Sequence, residues 1–170
     1  NEKENCKVEF GECERLHDMV EPLVEWFREN QRDLPWRKHV NAYRVWISEI
    51  MLQQTRVEAV KPYFERFLEA LPDISALAAV EDDRLMKLWE GLGYYNRVRN
   101  MQKAATQIMV DYGGEFPQTY EEILNLTGIG SYTAGAISSF AFGLAKPAVD
   151  GNVLRVISRI TGSDRDIMKQ

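Results

Sequence analysis

Two carboxylates stand in settings that would give them different chemistry. Asp150, in Val149-Asp150-Gly151-Asn152-Val153, opens a helix-like run. At such a start the free N–H groups and the helix dipole hold an aspartate as its anion. Glu49 lies in Val45-Trp46-Ile47-Ser48-Glu49-Ile50-Met51-Leu52, among neighbours that are almost all apolar. No Lys or Arg sits at 45, 46, 52 or 53 to pair with it along a helix. Facing a cavity, it would be desolvated, its pKa raised and its proton kept near neutral pH. Two carboxyls driven apart in this way supply a proton donor and a fixed negative charge. Cleavage of a glycosidic bond uses both, the acid on the leaving group and the anion beside a developing oxocarbenium ion. Each residue also has a plainer reading. Aspartate is a favoured N-cap, and Glu49 could lie on the one polar stripe of its helix.

A third feature is LTGIGSYTAGAI at 126–137, with Gly128 and Gly130 two positions apart and a helix-like run from Tyr132 to Phe142. Glycines feeding a helix start point free N–H groups at one spot, and that spot suits a phosphate. The dinucleotide and P-loop fingerprints both need a preceding strand, and they need a third glycine or a lysine that is absent here. Helix, tight glycine hairpin and helix suits a nucleic acid phosphate, a contact that positions without reading sequence. The competing reading is an ordinary helix–helix turn with a glycine cap.

The elements that must carry these residues are helical throughout. Apolar spacing near 3.6 predicts helices over 20–29, 42–54, 57–71, 84–92, 98–112, 120–126, 132–142 and 153–160. Pro35, Pro72, Gly113-Gly114, Pro117 and Pro147 punctuate them, and Thr119 and Asp150 look like N-caps. No convincing strand pair appears, so the expected fold class is all-α, with about eight to ten short helices. At 170 residues, 45% hydrophobic and 28% charged, the chain can bury a sizeable core in one domain or two closely joined ones. No apolar run approaches the ~20 residues of a membrane span, and no basic-then-apolar signal segment opens the chain. With two cysteines, Cys6 and Cys13, and no disulfide scaffold, a cytoplasmic location is expected. The net charge of −5 argues mildly against nucleic acid, but binding depends on where the positive charges lie. Arg84, Lys87, Arg97, Arg99 and Lys103 form one basic stretch, and Arg155, Arg159 and Arg165 another. Either could equally be a solvated helix face.

LTGIGSYTAGAI followed by AVDGNVLRV resembles the helix-hairpin-helix DNA glycosylase superfamily. RDLPWR (32–37), SEIMLQQT (48–55) and GLGYYNRVRN (91–100) narrow the resemblance to the adenine DNA glycosylases, the MutY type, over roughly residues 20–160. It implies removal of adenine mispaired with 8-oxoguanine or guanine in duplex DNA, leaving an abasic site. It also implies a monomer associated with the nucleoid. By resemblance, Glu49 matches the general acid that protonates adenine at N7. Asp150 matches the carboxylate that stabilises the oxocarbenium ion, and Asn152 an asparagine that orders the site. Trp36, Arg37 and Leu52 match residues lining the pocket for the extruded adenine, and Gln54 and Tyr94 match side chains wedged into the base stack. Gly128, Gly130 and Ser131 match the phosphate-holding hairpin. Tyr132 stands where strand-cutting members carry a nucleophilic lysine, which implies hydrolysis with little strand cleavage.

The resemblance divides the chain into an N-terminal segment (1–40), a helical barrel domain (41–148, with the hairpin at 120–142) and the start of an incomplete cluster domain (149–170). The family's [4Fe–4S] site takes four cysteines, so Cys6 and Cys13 are incidental and no metal ligands are expected in this chain. The expectation is a piece of a longer protein. Other readings stay open: a thymine mismatch glycosylase of the same superfamily, a non-catalytic DNA-binding module, or a structural helical domain.

Overall fold

The structure is a computed structural model that describes residues 10–164, 166 and 167. Among them are nine α-helices, one 3₁₀ turn and no strand, as the apolar spacing predicts. The chain divides into two compact units, Leu34–Ala148 and a second built from residues before 34 and after 148.

In the larger unit a 3₁₀ turn (Pro35–Arg37) precedes α2 (Ala42–Leu52), α3 (Val57–Ala70), α4 (Ile74–Ala79), α5 (Asp82–Trp89), α6 (Asn96–Asp111), α7 (Tyr120–Leu124) and α8 (Ser131–Phe142). Helix α2 starts where the Asn41 side chain accepts the Arg44 amide at 2.9 Å, satisfying one of the donors a helix start leaves open. Ala42, Tyr43, Val45, Trp46, Ile47, Ser48, Ile50 and Met51 are all buried, so α2 runs through the core between α3 and α8. The core is aromatic and edge-to-face. Trp46 packs on Phe116 with ring centroids 5.6 Å apart, and Phe67 on Trp89 at 6.0 Å.

Caps set most boundaries. Asp73 accepts the Ala76 amide at 2.8 Å and starts α4. Helix α4 lies in a stretch that no predicted helix covers. The Thr119 hydroxyl oxygen accepts the Glu122 amide at 3.3 Å and its proton goes to the Glu122 carboxylate at 2.6 Å, which caps the start of α7. Gly143, left-handed at φ 67°, ends α8.

The smaller unit holds α1 (Phe10–Asn30) and α9 (Gly151–Thr161), which contact each other. Helix α1 begins well ahead of the predicted residue 20, in the acid-rich part of the chain. Among residues 16–33 and 149–164 only Thr161 is buried, while Val20, Leu23, Trp26, Val153 and Val156 are exposed.

One packing contact is intolerant. Gly135 lies in the buried middle of α8, and a Cβ there would run into the Pro147 carbonyl oxygen and come within 2.8 Å of its carbon. Both atoms are backbone, so no side chain can rotate away. Gly135→Ala is expected to lower unfolding free energy by about 1–3 kcal/mol, as overpacked cores do. A denaturant midpoint equal to wild type would contradict this.

Candidate active site

Asp150 caps α9 with both carboxylate oxygens. Its Oδ1 accepts the amides of Asn152 at 3.0 Å and Val153 at 2.9 Å, and its Oδ2 accepts the Asn152 side-chain amide at 2.9 Å. The Asn152 carbonyl oxygen in turn accepts from Arg155 at 3.0 Å, which fixes which way the Asn152 amide points. The Val153 amide above all, with the Asn152 side-chain and backbone amides, holds the Asp150 carboxyl below the ordinary aspartate value of 3.8, against the opposing effect of burial. The group is an anion at neutral pH, positioned on both sides.

Glu49 sits near the end of α2, half-buried between the buried residues Ser48 and Ile50. The other charged residue of α2, Arg44, donates to the Pro35 carbonyl at 3.2 Å and lies over the Phe64 ring. Arg44, Glu49 and Leu52 are the only residues of α2 that are not buried, so the helix has one narrow face outside the core and Glu49 lies on it. Leu52 packs against the core at the end of the same helix. Trp36 is buried with its ring edge-to-face on Phe64 at 5.5 Å, and Arg37 is exposed beside it.

Gln54 and Tyr94 come from turns 40 positions apart and line one open pocket with Gln53, Tyr95, Asn96 and Arg97. Both are exposed, and both adopt left-handed backbone, at φ 59° and 48°. That conformation is uncommon for residues other than glycine and costs roughly 1–2 kcal/mol each. The surrounding turns must therefore over-determine it.

The hairpin joins α7 to α8. The Thr127 amide donates to Gln107 at 3.2 Å and the Ile129 amide to the Leu126 carbonyl at 3.1 Å. The exposed Gly128 and Gly130 amides meet no acceptor among the described residues. Gly130 is the N-cap of α8 and brings no side chain to cap it, so the amides of Gly128, Gly130 and Ser131 form an open donor cluster. The two glycines differ. Gly128 has φ 78° and would place a Cβ 2.7 Å from that of Asn100, whereas Gly130 has ordinary backbone and nothing within 4 Å.

In the first basic stretch Lys87 pairs with Glu90 at 3.3 Å, Arg99 meets Asp82 at 3.9 Å, and Arg97 is turned onto carbonyls. Of the second, Arg165 lies outside the described residues. Arg97 is the residue that sequence reasoning passed over as one charge among several. Its only signal was its place just after the turn Gly91-Leu92-Gly93-Tyr94.

Residues 47–170 match the family described as HhH-GPD superfamily base excision DNA repair protein. The chain belongs to this superfamily. The adenine DNA glycosylase of Rattus norvegicus is 42% identical over 153 residues, which cover 85% of this chain and 30% of the relative. A solved structure of a thermostable thymine-DNA glycosylase superposes with a TM-score of 0.80 at 28% identity, over 86% of this chain and 68% of that one. A trapped endonuclease III–DNA covalent intermediate does so with a TM-score of 0.78 at 26% identity, over 92% and 73%. The chain spans about a third of the length of the curated relatives it matches. The fold is the all-α helix-hairpin-helix glycosylase fold, and curated relatives that match at 42% and 45% identity are adenine DNA glycosylases.

A [4Fe–4S] cluster, typical of such relatives, needs four thiolate ligands. The sequence has two cysteines, of which Cys6 lies outside the described residues. No described group of three or more His, Cys, Asp and Glu could hold a metal. These residues do not fit the cluster.

The Asp150 cap has a pH signature. Its folded-state pKa is depressed, so it contributes stability in full above the unfolded value and loses it as pH falls through the folded one. On acidification below about pH 4, wild type should therefore lose melting temperature faster than Asp150→Asn, whose amide caps without titrating. Parallel acid melts of the two proteins would count against this.

Proposed function

We propose that the chain is the central part of an adenine DNA glycosylase acting on adenine opposite 8-oxoguanine or guanine. The observation that carries the reading is the Asp150 carboxylate, fixed and anionic on three N–H donors, in a chain so similar to adenine DNA glycosylases. In the proposed reaction the adenine is extruded, because a stacked base cannot be reached. Glu49 gives its proton to adenine N7, the C1′–N9 bond breaks, and its electron pair leaves with the neutral base. Asp150 stabilises the cationic sugar that remains. Water then adds to C1′, its proton passes to the Glu49 carboxylate, and an abasic site results. Trp36, Arg37 and Leu52 serve the adenine pocket, and Gln54 and Tyr94 enter the base stack. The amides around Gly128, Gly130 and Ser131 hold a DNA phosphate. Tyr132 offers no amine for a Schiff base, so the strand is left uncut. The enzyme works as a monomer on nucleoid DNA in the cytoplasm, and an iron–sulfur cluster, where the whole protein has one, takes its ligands from outside these 170 residues.

The test is single-turnover cleavage by the full-length protein of duplexes bearing A opposite 8-oxoguanine, T opposite G, and a matched control. Excision of adenine alone is expected, and excision of thymine would shift the reading to the mismatch enzyme that the fold also accommodates. Glu49→Gln and Asp150→Asn should each lower excision by at least ~10²–10⁴-fold, the usual worth of general acid catalysis, while affinity for the mispaired duplex holds. Unchanged excision in the Glu49 variant would falsify the mechanism. Tyr132→Lys should introduce strand cleavage that borohydride traps as a protein–DNA adduct.

The hairpin offers a cleaner separation of binding from folding. A methyl at Gly130 meets nothing in the fold but would stand among the donors that face the phosphate. Gly130→Ala should keep its melting temperature and lose affinity for matched and mispaired duplexes alike. Retained affinity, or a loss confined to one mispair, would contradict the phosphate assignment.

A further inference from the structure

Arg97 stands at the start of α6, and its guanidinium makes four hydrogen bonds, all to main-chain carbonyls. Nη1 donates to Ile50 at 2.6 Å and Gln53 at 2.7 Å, at the end of α2. Nη2 donates to Leu92 at 3.1 Å and Gly93 at 3.3 Å, in the turn before α6. The Gly93 carbonyl also accepts Trp89 Nε1 at 3.0 Å, and the guanidinium lies 5.4 Å from the Trp89 ring. One acceptor on each side immediately precedes a left-handed residue that is not glycine: Gln53 precedes Gln54, and Gly93 precedes Tyr94. Neither turn shares a sequence neighbourhood with the other. One planar fork, with donors aimed in two directions, joins them.

We propose that Arg97 is a positioning residue that locks the two wedge-bearing turns into one unit, so that Gln54 and Tyr94 meet the DNA base stack in fixed register. The inference rests on the proposed wedge role of those two side chains. Arginine suits the task for a geometric reason. Its donors are held in one plane and can serve two carbonyl pairs at once, whereas a lysine ammonium is a point that would serve one side. The position also reaches further. Arg97 lines both the open pocket of Gln54 and Tyr94 and a smaller, less open one bounded by Trp46, Asn100 and the hairpin residue Gly128. The guanidinium therefore sits between the proposed wedge and the proposed phosphate clamp.

The experiment uses the full-length protein and duplexes with 2-aminopurine beside the mispair, whose fluorescence rises when the stack is opened. Arg97→Met keeps the aliphatic stem and removes the fork. It should bind matched duplex like wild type but lose the 2-aminopurine signal and about 10-fold or more of its preference for the mispair, on the order of one lost base–aromatic stack. Arg97→Lys should keep the melting temperature closer to wild type without restoring the signal. In the double variant Arg97→Met with Tyr94→Ala, the two losses should not add, because both act through one wedge. Additive losses, or matched and mispaired affinity falling together with thermal stability in both Arg97 variants, would assign Arg97 to the general fold and overturn the proposal. So would an unchanged signal in Arg97→Met beside a normal wild type. A wild type that opens no stack would instead overturn the wedge reading, and Arg97 would have nothing to position.

Discussion

The larger unit is organised by the burial of one helix. Helix α2 has eight of its eleven residues in the core, so its axis, rotation and end point are set by packing on several sides. Packing at that density leaves little freedom to slide or roll. Two consequences follow from one constraint. Glu49 is held in a fixed direction because its neighbours Ser48 and Ile50 cannot move, and the chain leaves the core at Gln53 with its last carbonyls in a defined place. Arg97 uses those carbonyls. Placement of a carboxyl and of an exposed turn thus derives from the same buried surface.

The smaller unit works by a different rule. It has almost no buried side chain among its described residues, and its chemistry is local. Asp150, Asn152, Val153 and Arg155 lie within one and a half turns of α9 and arrange one another through hydrogen bonds. A carboxylate positioned by its own helix does not need a core beneath it. The two proposed catalytic carboxyls therefore owe their settings to unlike physics, tertiary packing for Glu49 and helix capping for Asp150.

Legibility followed the same division. Caps announce themselves by residue type, so Asp150 and Thr119 were readable, and the long amphipathic helices were readable from their period. Helix α4 was not: its six residues carry no acidic residue in the first turn to mark a start, whereas the equally short α7 has Glu121 and Glu122 there. The left-handed backbone of Gln54 and Tyr94 was hidden because only glycine advertises positive φ in a sequence. The role of Arg97 was hidden for a deeper reason: its partners are main-chain carbonyls, which every residue possesses and no sequence marks. Of the basic stretch, Arg97 is turned onto main-chain carbonyls, while Lys87 and Arg99 stay exposed beside acidic neighbours. The motifs supplied the family, while the geometry around them had to come from the coordinates.

The order Asp150–Asn152–Arg155 has an electrical consequence. The nearest cation in that chain reaches the carboxylate only through a neutral amide, and no direct ion pair to Asp150 occurs among the described residues. A salt bridge in that place would fix the carboxylate equally well but would cancel much of its outward potential. An interposed amide transmits orientation while passing on little charge. The carboxylate is thus restrained with no formal counter-charge against it, and its field is answered only by the partial positive charges of the N–H donors at the start of α9.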